Sequence, residues 1–507
     1  MFDLGRSFLA SVERSPGATA IVDGDVRLSY ENWMSRISAL ADGLASLGLK
    51  RGDHVLVVMQ NRWQMATLHW ACQFLGLIVT PLNWRSKREE IEYCARDAEA
   101  CAVVYDESAA DAVAASPACY EISRIATFAP LGDEIAFDEL LNAHAGESML
   151  HAGPEDWSVM LYTSGTTGKP KGVPRKHRAE RAAAIAHIAQ NQYGMGERTL
   201  GVMPLYHTMG VRSLVSMALV NGCFVCMPRF DATEALALIA RERISHLYLV
   251  PTLYHDLLAD ETFRDANISS VRRLGFAGAS MPEGLLRRLD DAFHPDLFVN
   301  HYGSSEVFTF SFDQAAAEKP GSAGRAGLNA RIRVVELGST HPDELAAPGE
   351  EGQIIADLNG DEAFEGYWKR PDADARARKH GWYFTGDTGH FDKDGDLFVT
   401  GRVDDMIVSG GENISPVEIE SVLSLHEAID EVAVAGLADD RWGQKVVAFI
   451  KRASPVDADA LDLFCRSSEL FNFKRPKEYV FVREIPKSSV GKILRRKLVA
   501  GEYERDE

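Results

Sequence analysis

Short apolar runs alternate with longer amphipathic ones along most of this chain. His54-Val-Leu-Val-Val-Met59 reads as a buried strand, Trp63 to Leu75 as a helix, and Ile78 to Leu82 as the next strand. Cys101-Ala-Val-Val-Tyr105 and Val159-Met-Leu-Tyr162 are further apolar runs of strand length. Thr233 to Arg243 has the helical period, and His246-Leu-Tyr-Leu-Val250 follows it as a strand. Alternation of this kind predicts α/β layering with largely parallel sheets. Residues 341–352 predict a hairpin loop.

The pattern changes character near residue 402. Asp392-Lys-Asp-Gly-Asp396 predicts a tight turn between Gly389-His-Phe391 and Leu397-Phe-Val-Thr400. Beyond it the strands and helices are shorter. Ser415 is placed to cap a helix, with Pro416 at its first position and Glu418 at its third. Strands at Glu431 to Ala435 and Lys445 to Lys451, a helix from Asp457 to Leu470 and a strand from Glu478 to Arg483 complete an α+β pattern. The expected organisation is a large multi-subdomain α/β part over residues 1–401 and a small mobile α+β domain over 402–507.

Composition narrows the partners. The 507 residues are 46% apolar and 25% charged, ordinary for a chain that buries large cores. The formal net charge of −20 argues against nucleic acid and anionic membranes. Seven cysteines are scattered without a disulfide framework, and Cys223-Phe-Val-Cys226 reads as buried strand rather than metal site. No leader segment and no membrane span are visible, so a cytoplasmic setting is expected.

Candidate chemistry begins at Tyr162-Thr-Ser-Gly-Thr-Thr-Gly-Lys-Pro-Lys-Gly-Val173. Glycines allow a tight loop whose N–H groups face an anion, while hydroxyls and lysines add donors and charge. The segment reads as a polyphosphate cradle made by Thr163, Ser164, Gly165, Thr166, Thr167, Gly168 and Lys169. It is not the common P-loop, because Pro170 after Lys169 disfavours a helix there. The segment resembles the signature loop of the adenylate-forming superfamily: acyl- and aryl-CoA synthetases, adenylation domains and firefly-type luciferases. Further segments in the same order extend the resemblance over nearly the whole chain.

Asn300-His-Tyr-Gly-Ser-Ser-Glu306 resembles the superfamily's Tyr-Gly-x-Thr-Glu motif. The resemblance implies that Tyr302 stacks on the adenine and that Glu306, with Thr163, holds Mg²⁺ beside the phosphates. Asn300, His301, Gly303, Ser304 and Ser305, together with Gly278, Ala279 and Ser280, are implied to border the nucleotide. Trp382-Tyr-Phe-Thr-Gly-Asp387 resembles the segment whose aspartate takes the ribose hydroxyls, and Asp387 is expected just past a strand. Arg402 resembles the ribose- or phosphate-side arginine, and Asp404 the hinge. Pro486-Lys-Ser-Ser-Val-Gly-Lys-Ile-Leu-Arg-Arg496 resembles the catalytic-lysine motif, which nominates Lys492. A lysine between a carboxylate and an α-phosphate lowers their repulsion in the transition state. His207 in Met203-Pro-Leu-Tyr-His-Thr-Met-Gly210 matches a segment bordering the carboxylate and thiol sites.

Coenzyme A is the expected second substrate. Trp442 and Phe473 offer aromatic faces for its adenine, Lys474, Arg475 and Lys477 suit its phosphates, and Arg85 is expected to complete the patch. Gly410 and Gly411 are placed to let backbone approach the pantetheine. The region from Gly436 to Lys477 looks especially like bacterial 4-chlorobenzoate-type CoA ligases, which implies an aromatic acid. His301 departs from the apolar residue expected for a halobenzoate. It could face a ring hydroxyl, an amine or a second carboxylate, or simply bond to backbone. Hydroxycinnamates, alicyclic or medium-chain acids, and loading of a carrier protein are alternative readings. The expected partners are thus a small carboxylic acid, ATP and CoA, with a homodimer as a candidate assembly.

Overall fold

The computed structural model describes residues 2–142, 150–163, 170–410, 412–468, 470–487 and 493–506. Ser164 to Lys169, Gly411 and Lys492 lie outside the described residues, as does the side chain of Asp404.

The apolar runs at residues 54–105 build a seven-stranded sheet. Its strands His54–Val58, Ile78–Pro81, Ala100–Tyr105 and Ser123–Ala126 are parallel, and the helix Trp63–Leu75 connects the first two. These strands are buried on both faces, which is why they read as continuous rather than alternating apolar runs. Trp157–Thr163 joins in parallel and turns back antiparallel into Lys171–Lys176, with Thr163 opposite Lys171. The chain therefore resumes as a strand after Pro170, and no helix follows it there.

A fourteen-stranded sheet forms the second layer. Its parallel half runs Thr19–Asp23, Cys223–Cys226, Arg198–Gly201, His246–Leu249, Arg273–Phe276 and Leu297–Tyr302. Beyond Leu297–Tyr302 the pairing is antiparallel, through Ser311–Asp313, Ser322–Ala326, Leu397–Arg402, Trp382–Phe391, Gly352–Asp357 and Ile332–Val335. The Asp392–Asp396 turn forms as expected between the two strands that flank it. Its three carboxylates surround the Lys319 ammonium, which lies 2.6 Å from Asp396 and 3.1 Å from Asp394. A lysine is thus the cation of that corner. Cys223 and Cys226 are buried in their strand, as the apolar run around them predicts.

Residues 407–481 carry a separate five-stranded sheet, ordered Glu412–Ile414, Ile407–Ser409, Gly443–Arg452, Ile429–Asp439, with Glu478–Phe481 also on Gly443–Arg452. The architecture is therefore a large α/β part and a small α+β part. The helix Pro416–Leu423 starts at Ser415 with proline first, but the expected capping box does not form. The Ser415 hydroxyl instead donates to the Thr400 carbonyl of the large sheet, and Glu418 pairs with Lys474 at 2.6 Å. Both side chains tie elements together across space instead of closing the helix end.

Candidate functional site

The candidate residues gather where the parallel half of the large sheet meets its antiparallel half. Alternation along Leu297–Tyr302 puts Asn300 and Tyr302 on one face and His301 on the other. Asn300 Nδ2 donates to the Ser322 carbonyl at 2.7 Å. The Tyr302 hydroxyl donates to Asp387 Oδ2 at 2.5 Å, and Arg402 Nη1 donates to Asp387 Oδ1 at 2.8 Å. One carboxylate thus accepts from a phenol and a guanidinium. Burial, and then the Asp387 charge, push the Tyr302 phenol well above its ordinary range. Asp387 lies within the strand Trp382–Phe391 rather than past its end, which corrects the expectation. A register shift immediately after it, between Thr388 and Gly389, breaks the ladder there.

Gly303 follows Tyr302 and allows the chain to turn hard. A Cβ there would lie 1.9 Å from the Phe308 carbonyl oxygen, so no other residue fits without moving backbone. The turn is pinned by Ser304, whose hydroxyl accepts from the N–H groups of Glu306 and Val307 at 3.2 and 3.3 Å. It buries Glu306, whose Oε1 accepts from the Tyr367 hydroxyl at 2.8 Å. Lys171 stands 4.3 Å from the centre of the Tyr367 ring. Burial lowers the Lys171 ammonium's pKa, with Glu306 opposing and neighbouring arginines reinforcing that shift. Tyr367 was not legible as a site residue, because no local pattern announces a partner 61 positions away.

His207 caps the helix Thr208–Leu219, its Nδ1 accepting from the Met209 N–H at 3.4 Å. Gly278, Ala279 and Ser280 form an exposed loop after Arg273–Phe276. A Cβ on Gly278 would lie 3.7 Å from Met209 Sδ, which places this loop beside the start of that helix. His301, on the opposite strand face from Tyr302, is buried in a polar aromatic cluster. Its ring centre is 5.2 Å from that of His187 and 5.5 Å from that of Tyr248. Burial, with Arg212's charge behind it, holds the His301 imidazole well below its usual pKa. His187, Asn191 and Arg212 join this cluster from two helices. They went unnoticed in the sequence because a lone buried histidine or arginine in an apolar helix carries no motif.

The small sheet presents Trp442 and Phe473, both exposed. Gly410 has φ +62, and its N–H donates to the Trp442 carbonyl at 2.9 Å. A Cβ there would lie 3.0 Å from the indole, so glycine lets the strand end lie against the ring. Phe473 stacks with Phe471 at 5.9 Å. The basic residues are less free than their sequence cluster suggests. Lys474 pairs with Glu418, Arg475 pairs with Asp462 at 2.7 Å, and Lys477 reaches the Asn472 carbonyl at 3.4 Å. Arg85 is exposed in the large part, its guanidinium 3.6 Å from the Trp84 ring, with Tyr206 and Arg229 as its charged or ionisable neighbours.

Comparison with known proteins gives a consistent picture. The sequence profile described as AMP-binding enzyme matches residues 8–368, and that described as AMP-binding enzyme C-terminal domain matches residues 418–492. The chain is 33% identical over 493 residues to a 4-chlorobenzoate–CoA ligase of Arthrobacter, covering 96% of this chain and 93% of that protein. It is 34% identical over 500 residues to the indoleacetate–CoA ligase of Aromatoleum aromaticum, covering 96% of both. Among solved structures, the anthranilate CoA ligase AuaEII in complex with anthranoyl-AMP superposes with a TM-score of 0.92 at 25% identity, covering 99% of this chain and 97% of that one.

Proposed function

The chain belongs to the AMP-binding enzyme family, and from that we infer that it is an ATP-dependent carboxylate–CoA ligase acting on a benzoate-sized aromatic acid through an acyl-AMP. The observation that supports this reading best is the grouping of Tyr302, Asp387 and Arg402 beside buried Glu306. An aromatic ring, a carboxylate and a guanidinium in that order suit an adenine, a ribose and its phosphate. Relatives acting on chlorobenzoate and indoleacetate support the aromatic acid.

In the first half-reaction a carboxylate oxygen attacks the α-phosphorus of ATP. An acyl–O–P bond forms, the P–O bond to pyrophosphate breaks, and acyl-AMP remains. Thr163 to Lys169 are proposed to cradle the phosphates and Lys492 to bridge the reacting charges. Glu306 and Thr163 are the residues that would hold Mg²⁺. A single carboxylate and a hydroxyl suit an ion that keeps waters and shares phosphate oxygens, and when bound it neutralises the departing pyrophosphate. In the second half-reaction the CoA thiolate attacks the acyl carbon, a C–S bond forms and AMP leaves. Turning of the small domain about Asp404 is proposed to withdraw Lys492 and bring Gly410 and Gly411 to the thiol path. Trp442, Phe473, Lys474, Arg475, Lys477 and Arg85 are proposed to meet the CoA nucleotide.

The test is pyrophosphate release across benzoates, cinnamates, cyclohexanecarboxylates and linear acids, each with and without CoA. Aromatic acids should give the highest kcat/KM, and CoA should be consumed stoichiometrically. A linear acid preferred over every ring, or turnover that consumes no CoA, overturns the reading.

A further inference from the structure

The phosphate segment and Glu306 belong to different sheets. Thr163 and Lys171, the strand residues on either side of that segment, pair within the seven-stranded sheet, whereas Glu306 lies in the turn after Leu297–Tyr302 of the fourteen-stranded one. Backbone pairing within either sheet leaves their separation open. Side chains that cross between the sheets have to set it.

The strand Lys171–Lys176 supplies them. Alternation puts Lys171, Val173 and Arg175 on one of its faces. Lys171 stands over the Tyr367 ring, and the Tyr367 hydroxyl donates to Glu306 Oε1. Val173 packs in one apolar cluster with Val307, Phe310 and Tyr367. Arg175 reaches the backbone of the turn itself. Its Nη1 donates to the Glu306 carbonyl at 3.2 Å and to the Glu362 carbonyl at 2.6 Å, and its guanidinium lies 3.9 Å from the centre of the Phe308 ring. The Glu306 carbonyl also accepts from the Phe364 N–H at 2.8 Å, and the Trp368 N–H returns to the Gly172 carbonyl of the strand at 2.9 Å. Residues 364–368 are thus the third side of a frame that holds Glu306 by its carbonyl and by its carboxylate.

Stability is a weak reason for an arginine at this position. The Arg175 side chain is fully buried, and its Nε donates to buried Glu180 at 2.9 Å. An ion pair this deep adds little over a well-packed apolar pair of the same volume, because desolvation offsets the attraction. What an apolar side chain could not do is donate to two carbonyls of separate segments while bonding to a third group, as a guanidinium does.

We propose that Arg175 is a positioning residue for the ATP site: it fixes Glu306 relative to the phosphate segment, and so sets where a divalent cation on Glu306 would meet the phosphates. The proposal rests on the reading of Glu306 given above. Arg175 is buried behind the turn and acts through that carboxylate.

The experiment titrates Mn²⁺, as a spectroscopic stand-in for Mg²⁺, into enzyme and ATP without acid, and reads bound Mn²⁺ by electron paramagnetic resonance. Initial rates of pyrophosphate release are measured alongside. Wild type, Arg175→Met, Arg175→Lys, Glu306→Gln and the combination of Arg175→Met with Glu306→Gln are compared. Arg175→Met should weaken Mn²⁺ binding about tenfold, the usual cost of losing a group that orients a metal ligand, and should raise KM for ATP while leaving KM for the acid unchanged. Arg175→Lys, which keeps the charge but not the planar fork of donors, should fall between wild type and Arg175→Met. The combined variant should bind Mn²⁺ no more weakly than Glu306→Gln alone, because the two residues act as one unit. Should Arg175→Met fail to fold, Arg175→Met with Glu180→Gln removes both charges of the buried pair together and takes its place. Unchanged Mn²⁺ binding in the Arg175→Met protein, whatever its melting temperature, overturns the proposal, as do losses that add in the combined variant. Mn²⁺ binding unaffected by Glu306→Gln is a different result: it removes Glu306 from the metal site, and this inference with it.

Discussion

Lys492 is the residue on which the proposed chemistry leans most. A carboxylate and a triphosphate repel each other until a cation stands between them. Lys492→Ala should therefore slow acyl-AMP formation by about 10²–10³-fold, the usual loss for one preorganised charge. Conversion of supplied acyl-AMP to the thioester should continue, since the second step has no such repulsion to relieve. Single-turnover assays of the two half-reactions separate the outcomes, and an undiminished first step would remove Lys492 from the mechanism. At this scale the sequence was informative wherever the chemistry is contiguous. Short segments nominate Tyr302, Glu306 and Asp387; the side chains of Tyr302 and Asp387 meet, and Glu306 bonds to Tyr367. Their partners were not legible in the same way. Tyr367 reaches Glu306, and Asn191 reaches His301 across 110 positions, through folding that no local spacing encodes.

Among elements, the turn after Leu297–Tyr302 is the most constrained. Gly303→Ala would drive a methyl into the Phe308 carbonyl, a backbone atom that cannot swing aside. The turn would have to open, and Glu306 and Tyr302 would shift with it. Expected results are a loss of about 1–3 kcal/mol in stability, as for other overpacked sites, and a raised KM for ATP. Urea unfolding and initial-rate kinetics read the two effects, and a variant with wild-type values in both would show that the turn has slack. Strand and helix positions were legible from apolar periodicity, including Trp63–Leu75 and the Cys223–Cys226 strand. Two local readings failed for one reason. Ser415 and Asp387 were assigned by their immediate neighbours, but Ser415 serves the Thr400 carbonyl, and Asp387 sits inside a strand at a register break. Long-range pairing decided both.

For the whole molecule, contact between the large and small parts includes one pair with a pH signature. His255, on the helix Pro251–Ala259, meets Asp430 of the small sheet at 2.8 Å. Hydrogen bonds to Asp256 and Asp430 raise the His255 pKa from 6.5 to about 9, and the bond from His255 lowers Asp430 from 3.8 to about 2. A raised histidine stabilises fully below its ordinary value and loses that contribution as pH rises through about 9. A depressed aspartate stabilises above its ordinary value and loses that contribution as pH falls through about 2. Near neutrality the pair should hold, and above pH 9 it should weaken. Limited proteolysis of the connection between the two parts should accelerate above pH 9 in wild type. His255→Gln should be cleaved faster already at pH 7.5, with less further dependence on pH. Equal cleavage of both proteins across that range would mean that the pair does not hold the parts together. A large part followed by a small one is what the change in element length along the sequence leads one to expect, and the separate small sheet bears that out. This pair is not foreseeable, since a histidine and an aspartate 175 positions apart carry no pattern.

The connection itself has a further consequence. Leu397–Arg402 ends in the large sheet and Ile407–Ser409 begins the small one, leaving residues 403–406 between them. Fully extended, that link spans about 14 Å. Any rotation of the small part is therefore an intramolecular event at a millimolar-scale effective concentration, on the order expected for a short tether. Dilution of the enzyme therefore does not dilute the small part against the large one, whereas ATP, the acid and CoA still have to arrive from solution.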